Sequence, residues 1–423
     1  MAQSETLSNT ALTPVEDSQR VFNGYSHGSL WFSLGVGLLV IQTGAYLVPA
    51  MGTQQALLAI VLGSLLGSGL LAWIAKIGCD TGLSSAGLIH QVYGSAFAKL
   101  PIVLNIVQLV GWTSFELVIM RDGMLAMGET QWGWAGNNLV WLATFFWGGV
   151  LTLLMASSML GLVRSFVSKW GLPLVVISLA WLSWQFIDVL RHQDMAAFWH
   201  QSGDHSMGFL SAIDLVIAMP VSWLPLVADY ARHGQNSRNA MKATWIGYAI
   251  ANTWCYALGV LVVSVSAPQM DMVNTLLLAQ GGLLALGLIL VDELDNAYGD
   301  VYSASLNIHS LWSQWTAKKW GLLLAVACTA LAIVLPMHSL EPFLLLLSSV
   351  FIPLFGVIVG RVGTQPAHTP TNRVHTVPAL LWLAGIAVFH GFAQFAPEWG
   401  CALPSLAFTW GLARLTRPSL SHA

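Results

Sequence analysis

The chain has 423 residues, of which 56% are hydrophobic and only 8% charged, against about 25% charged in an ordinary soluble domain. A net charge of −3 without a basic tract gives no footing for nucleic acid, and so apolar a chain is a polytopic membrane protein rather than a soluble enzyme with one anchor. Its cysteines (Cys79, Cys255, Cys328, Cys401) are scattered singly, the pattern of neither a disulfide framework nor a metal centre.

The polar start, about 1–27, has no apolar core of the signal-peptide kind and reads as a cytoplasmic tail. One transmembrane domain is expected over 28–417. A span needs about 20 apolar residues. Such runs fall near 29–50, 54–76, 100–122, 138–157, 168–190, 208–230, 243–266, 280–305, 319–336, 341–361, 377–395 and 400–416. That pattern predicts an all-α protein of twelve membrane helices. With the N-terminus inside, the inner loops and tails hold Arg20, Lys76, Lys99, Arg164, Lys169, Arg232, Arg238 and Lys242. They also hold Lys318, Lys319, Arg361, Arg373, Arg414 and Arg417, whereas only Arg121 and Arg191 fall outside. This positive-inside bias puts both termini in the cytoplasm, for a multi-pass protein of the cell (inner) membrane. The segment 267–279 is too polar at its start to span and is expected to pack over the outer mouth.

Helix 1 carries Gln42-Thr43-Gly44 in its middle, with Gly35, Gly37 and Pro49 on either side. A break is expected at Gln42–Gly44. Its counterpart is helix 6, where Pro220 and Pro225 interrupt Met219-Pro220-Val221-Ser222-Trp223-Leu224-Pro225. Backbone freed there must be buried in protein or line a cavity. Ser222 and Trp223 add a hydroxyl and a flat π-surface, suited to a small planar polar molecule. A proline-kinked helix with a packing tryptophan is the plainer reading. Interrupted segments at matching positions of two halves point to a transporter site on inverted repeats. Helices 1–5 (about 28–190) and 6–10 (about 208–361) form the repeats, and two further helices (about 377–416) lie outside them.

In helix 3, Asn105, Gln108, Trp112 and Glu116 share a stripe roughly 80° wide at 100° per residue. A carboxylate at membrane depth calls for a cavity or partner, which favours a site at Trp112 and Glu116. Asn105 and Gln108 read more simply as interhelical hydrogen-bonders. Helix 8 ends in Asp292-Glu293-Leu294-Asp295-Asn296, followed by Gly299 and Asp300. Asp292, Asp295, Asn296 and Gly299 share a face, with Glu293 and Asp300 at its edge. Either the helix continues and these acids line the cavity, or the span stops at Val291 and they are a solvated loop.

Gly111-Trp112-Thr113, Ser222-Trp223-Leu224-Pro225-Leu226-Val227-Ala228-Asp229-Tyr230 and Asp300-Val301-Tyr302-Ser303-Ala304 resemble the nucleobase–cation symporter family of cytosine, purine, hydantoin and allantoin permeases. Trp31-Phe32 and Leu57–Gly63 fit its hydroxymethylpyrimidine permease branch, and the resemblance covers about 30–420. It implies a LeuT-type fold of two inverted five-helix repeats with broken helices 1 and 6, working by alternating access. It also implies a planar heterocycle clamped between Trp112 and Trp223, with Glu116 where the family carries a ring-binding amide. The family's helix 8 asparagine maps onto Asp300, or onto Asn296 if the alignment slips one turn. The substrate-binding set expected is therefore Trp112, Glu116, Ser222, Trp223, Asn296, Asp300, Gln42 and Gln108. A sodium site would use Gln42, Thr43, Gly44 and Asp295. The family's small hydroxyl residues in helix 8 are replaced here by Leu294 and Asp295, so Asp295 could instead carry a coupling proton.

The expected partners are thus a small heterocycle, a coupling cation (Na+ or H+) and the lipid bilayer, with no further cofactor. An amino-acid symporter on the same fold is the alternative; it would want free N–H groups at the helix 1 break for an α-carboxylate. A membrane enzyme is disfavoured, because His90, His309, His338 and His390 are far apart in sequence.

Overall fold

The computed structural model describes residues 12–134, 136–156, 171–266, 272–334, 340–362 and 372–417. Arg164, Lys169, His338 and 267–271 lie outside them. The first helix, α1 (Gly24–Ser33), begins earlier than expected, because the Asn23 side chain accepts the Ser26 N–H as its cap. After four non-helical residues the chain resumes as α2 (Leu38–Ala45), bent 58° from α1.

The break is therefore at Leu34–Gly37 and not at Gln42–Gly44. Gln42 and Thr43 bond within their own helix, Gln42 Nε2 to Tyr46 Oη at 3.2 Å and Thr43 Oγ1 to the Leu39 carbonyl at 2.8 Å. Polar side chains satisfied in this way leave the helix intact. Gly44 is a packing glycine, since a Cβ there would collide with the backbone of Tyr256. At the real break, a Cβ on Gly35 would lie 2.8 Å from Ala251 Cβ.

The first half continues as α3 (Thr53–Thr81), α4 (Ser85–Tyr93), α5 (Ser95–Trp132), α6 (Asn137–Met155), α7 (Leu172–Gln193) and the short α8 (Met195–His200). α5 is 38 residues long, about 57 Å at 1.5 Å per residue, and so outruns the bilayer core. The sixth predicted segment is α9 (Phe209–Ser222) and α10 (Leu224–Ala231), parted by Trp223 alone. Trp223 keeps helical dihedrals (φ −87°, ψ −9°). Pro225 lies in the first turn of α10, where no N–H donor is required. The expected irregular stretch thus shrinks to one residue, and the pair crosses as one span of 23 residues.

Beyond it run α11 (Ser237–Val265), α12 (Met272–Leu278), α13 (Gly282–Leu311), α14 (Ala317–Val334), α15 (Leu340–Arg361), α16 (Thr376–Phe395) and α17 (Ala402–Leu415). α13 is unbroken through Asp292–Asp300 and all its acids are buried, which removes the solvated-loop reading.

Among the described residues, nine helices are long and apolar enough to cross a membrane, or ten with the bent α1–α2 pair. The acids of α13 and the 14 residues of α17 leave those two outside this measure. The α9–α10 span is the centre of the molecule, with 89% of its apolar window buried, against 28% for α7 and α16. Around it pack α3, α11 and α15, with α5 against α13.

The N-terminal segment is tied down. Val15 N–H donates to the Gly82 carbonyl, and Phe22 exchanges backbone bonds with His233 and Gln235, each at 2.9 Å. Arg20 also donates to the Cys79 carbonyl at 3.0 Å. On the same face, Asp229 accepts the Ser85 N–H at 2.8 Å and the Ser303 hydroxyl, joining α10, α4 and α13.

Candidate functional site

Two rows of polar side chains leave α13 towards the break in the first span. Along one, the Ser33 hydroxyl at the end of α1 lies 2.6 Å from Asp292 Oδ1 and 3.3 Å from Asp295 Oδ2. A hydroxyl has one proton to donate, so it bridges the two carboxyls but cannot satisfy both.

Along the other row, Glu293 Oε1 accepts the Leu38 N–H that opens α2, at 2.5 Å. Asn296 Nδ2 donates to the Val36 carbonyl and to Glu293 Oε2, each at 3.1 Å. A donor and an acceptor exposed by the break are thus answered from one turn of a helix 255 residues further on.

The second row faces a pocket whose free volume, about 30 Å³, holds only a water molecule or two, so admitting a heterocycle requires its walls to part. Trp112, Glu116, Ser222, Trp223, Asn296 and Asp300 line it together, from α5, the α9–α10 joint and α13. Two further lining groups, Gly37 and Glu293, are absent from the predicted binding set. Glu293 could have been found from its place at the edge of the α13 face. Gly37 could have been found from its pairing with Gly35.

Each indole packs against another ring. Trp112 packs edge-on against Phe343 at 5.2 Å, and Trp223 against the fully buried Trp31 at 6.1 Å. Among the described residues no ring contact joins Trp112 to Trp223. Trp112 Nε1, Glu116 Oε2 and Asn296 Oδ1 are buried without a partner, and no Lys, Arg or His lines the space. Leaving such groups unmatched costs about 1–3 kcal/mol each. The arrangement suits a flat solute that brings mostly donors.

Gln42 and Gln108 do not reach the cavity. Gln108 Nε2 donates to Asn105 Oδ1 at 2.9 Å and to the Ser222 carbonyl at 3.3 Å, while Asn105 donates to the Pro225 carbonyl at 3.2 Å. Both amides therefore brace the α9–α10 joint. Ser222 lines the cavity, but its hydroxyl proton goes to the Met219 carbonyl at 2.7 Å, leaving the oxygen only as an acceptor. The carbonyls of Thr43 and Gly44 already accept backbone N–H groups from Tyr46 and Leu47. Of the four expected ion ligands, only Asp295 adjoins the break, through Ser33.

Comparison with known proteins agrees with this architecture. Residues 14–363 match the family model described as permease for cytosine/purines, uracil, thiamine, allantoin. The cytosine permease of Escherichia coli (strain K12) is 24% identical over 396 residues, covering 90% of this chain and 89% of that protein. The allantoin permease of Bacillus subtilis (strain 168) is 20% identical over 260 residues, 58% of this chain and about half (53%) of the relative. Among solved structures, the nucleobase-cation-symport-1 family transporter Mhp1, closed with bromovinylhydantoin bound, superposes with a TM-score of 0.82 at 15% identity. That match covers 97% of this chain and 95% of Mhp1. MhsT in complex with L-phenylalanine gives 0.63 at 15% identity, over 92% of this chain and 98% of MhsT. The chain has the fold of these transporters, and on the family match over most of its length it belongs to the family of permeases for cytosine/purines, uracil, thiamine and allantoin, a membrane transporter and not an enzyme.

Proposed function

We propose that the protein is a secondary active importer of a small aminopyrimidine, either hydroxymethylpyrimidine (the thiamine precursor) or a cytosine-like nucleobase. The observation that carries this reading is a narrow pocket lined by two separately braced indoles, three carboxyl groups and no basic residue. Trp112 and Trp223 sandwich the ring, while Glu116 takes its exocyclic NH2 and adjacent ring nitrogen. A carboxylate accepts two parallel bonds from that edge once the ring nitrogen carries or shares a proton, and such charge-assisted bonds are roughly twice as strong as neutral ones. Uracil would turn a carbonyl to Glu116, leaving acceptor against acceptor in a dry site. Asn296 and Asp300 bond the rest of the ring.

Transport is driven by Na+ or H+ through alternating access, with the Ser33–Asp292–Asp295 cluster as the coupling group. We further propose twelve spans in one domain, two inverted five-helix repeats followed by two added helices. The protein lies in the inner membrane with both termini cytoplasmic. An amino-acid symporter is the competing reading, and the fold shared with MhsT is what favours it.

Binding and uptake by purified protein in proteoliposomes test this, with hydroxymethylpyrimidine, cytosine and uracil compared with and without sodium. Wild type should prefer the aminopyrimidines. Glu116→Gln should weaken them about tenfold, or 1.4 kcal/mol, and relax the discrimination against uracil. Unchanged equilibrium selectivity with loss only of concentrative uptake would assign Glu116 to the coupling ion.

A further inference from the structure

The bend in the first span exposes the start of α2, and a helix start attracts anions through its free N–H groups and the positive end of its dipole. In a broken-helix transporter this is where an anionic group of the substrate is received. Here the position is already filled. Glu293 Oε1 accepts the Leu38 N–H at 2.5 Å, and Glu293 Oε2 accepts from Asn296 Nδ2 at 3.1 Å. The side chain is 1% exposed yet borders the cavity, where Leu39 and Val40 of the same first turn also lie. Gly37 provides the clearance. A Cβ there would come 3.0 and 3.3 Å from the two carboxylate oxygens, so the carboxylate packs directly on the backbone of the break.

A second observation concerns what remains open. Glu116 Oε2 and Asn296 Oδ1 are buried acceptors with no partner, and no basic side chain lines the space. Besides the Trp112 indole N–H, the unpartnered groups are acceptors, and no cation offsets them.

We propose that Glu293 is a specificity-determining residue, a built-in anion that occupies the α2 start so that the site refuses carboxylate-bearing solutes and admits neutral or cationic heterocycles. This rests on the cavity being the substrate site. A solute carboxylate would have to displace Glu293 from Leu38 and then face Glu116 and Asp300 as well. Selection of this kind works by placing a repulsive group against the wrong solute.

The test separates this role from simple capping of the break. Glu293→Gln keeps an oxygen for the Leu38 N–H but removes the charge, and Glu293→Asp keeps the charge on a shorter arm. Equilibrium binding of cytosine and of cytosine-5-carboxylate to full-length purified protein at one neutral pH gives an affinity ratio for each variant. Wild type and Glu293→Asp should favour cytosine by at least about a hundredfold. In Glu293→Gln the ratio should narrow at least tenfold, mainly through tighter carboxylate binding. A glutamine variant with wild-type thermal stability and an unchanged ratio would reduce Glu293 to a cap and overturn the proposal. Should that variant not fold, Glu293→Ala is the second neutral substitution, read by the same ratio. If wild type binds neither compound, the aminopyrimidine reading falls, and the matched pair uracil and orotate decides the role of Glu293 by the same narrowing or its absence.

Discussion

At the scale of single residues, Trp112 and Trp223, packed against Phe343 and Trp31, are expected to contribute by stacking on the ring. Aromatic stacking adds about 0.5–1.5 kcal/mol beyond area burial. Trp112→Ala and Trp223→Ala should therefore each weaken aminopyrimidine binding by roughly 2- to 13-fold, and Phe at either position should retain part of the affinity. Isothermal titration on detergent-purified protein measures this directly. If both alanine variants bind like wild type, the ring lies elsewhere. Trp223→Ala should also lower thermal stability more than Trp112→Ala does, since Trp223 packs against the fully buried Trp31. Trp112 and Glu116, which line the cavity, stood out in the sequence because an acid at membrane depth must face a cavity or a partner, and Trp223 because it sits between Pro220 and Pro225 in an apolar span.

At the scale of elements, the misplaced break in the first span shows what a local reading misses. Gln42-Thr43-Gly44 stood out for polarity, yet those polar atoms are satisfied within α2 and the glycine serves packing. The true break is marked by two glycines two residues apart, and the side chains that make it tolerable, Glu293 and Asn296, come from the other half of the chain. No window of sequence contains both. The joint at Trp223 erred the other way, since two prolines suggested a wider gap than a first-turn Pro225 requires. The acids of α13 were legible as one buried face, but not their division between Ser33 on one side and Leu38 on the other. That division sets Asp292 and Asp295, joined through Ser33, apart from the acids that line the cavity, which is why the proposed coupling group contains Asp295. Asp295→Asn should leave aminopyrimidine affinity within a few-fold while abolishing concentrative uptake. Loss of a sodium dependence in the variant would identify a sodium ligand, whereas a wild-type uptake that ignores sodium and collapses with a protonophore would identify a proton carrier. Uptake equal to wild type under both gradients would remove Asp295 from the mechanism.

At the scale of the whole molecule, the N-terminal segment closes one face by bonding across the ends of α3 and α10. His233, just beyond α10, supplies one of those backbone bonds and is 8% exposed. Burial, helped by the Arg232 charge and opposed by a hydrogen bond to the Gln19 backbone, lowers its pKa from 6.5 to about 3. The closed face therefore holds His233 neutral, while an opened face would let it titrate normally. Closure should be complete above about pH 6.5 and weaken progressively below it, by about 2 kcal/mol at pH 5. Hydrogen exchange of residues 12–23 should accelerate between pH 7 and pH 5 after correction for intrinsic rates, and His233→Gln should reduce that change, His27 beside Phe22 being the other buried imidazole at this face. Equal protection at both values would show that the segment does not sense His233. The bonds at the break have a different reach. Ser33 ends α1 and Leu38 begins α2, and the side chains that grip them, Asp292 to Asn296, all come from a single turn of α13. That turn acts as a yoke across the joint, so neither arm can swing without surrendering contacts on its own side. Whatever binds one row is felt by the other with the same factor in both directions. On the proposed coupling, slippage of the cation without its cargo would be set by the grip of that yoke.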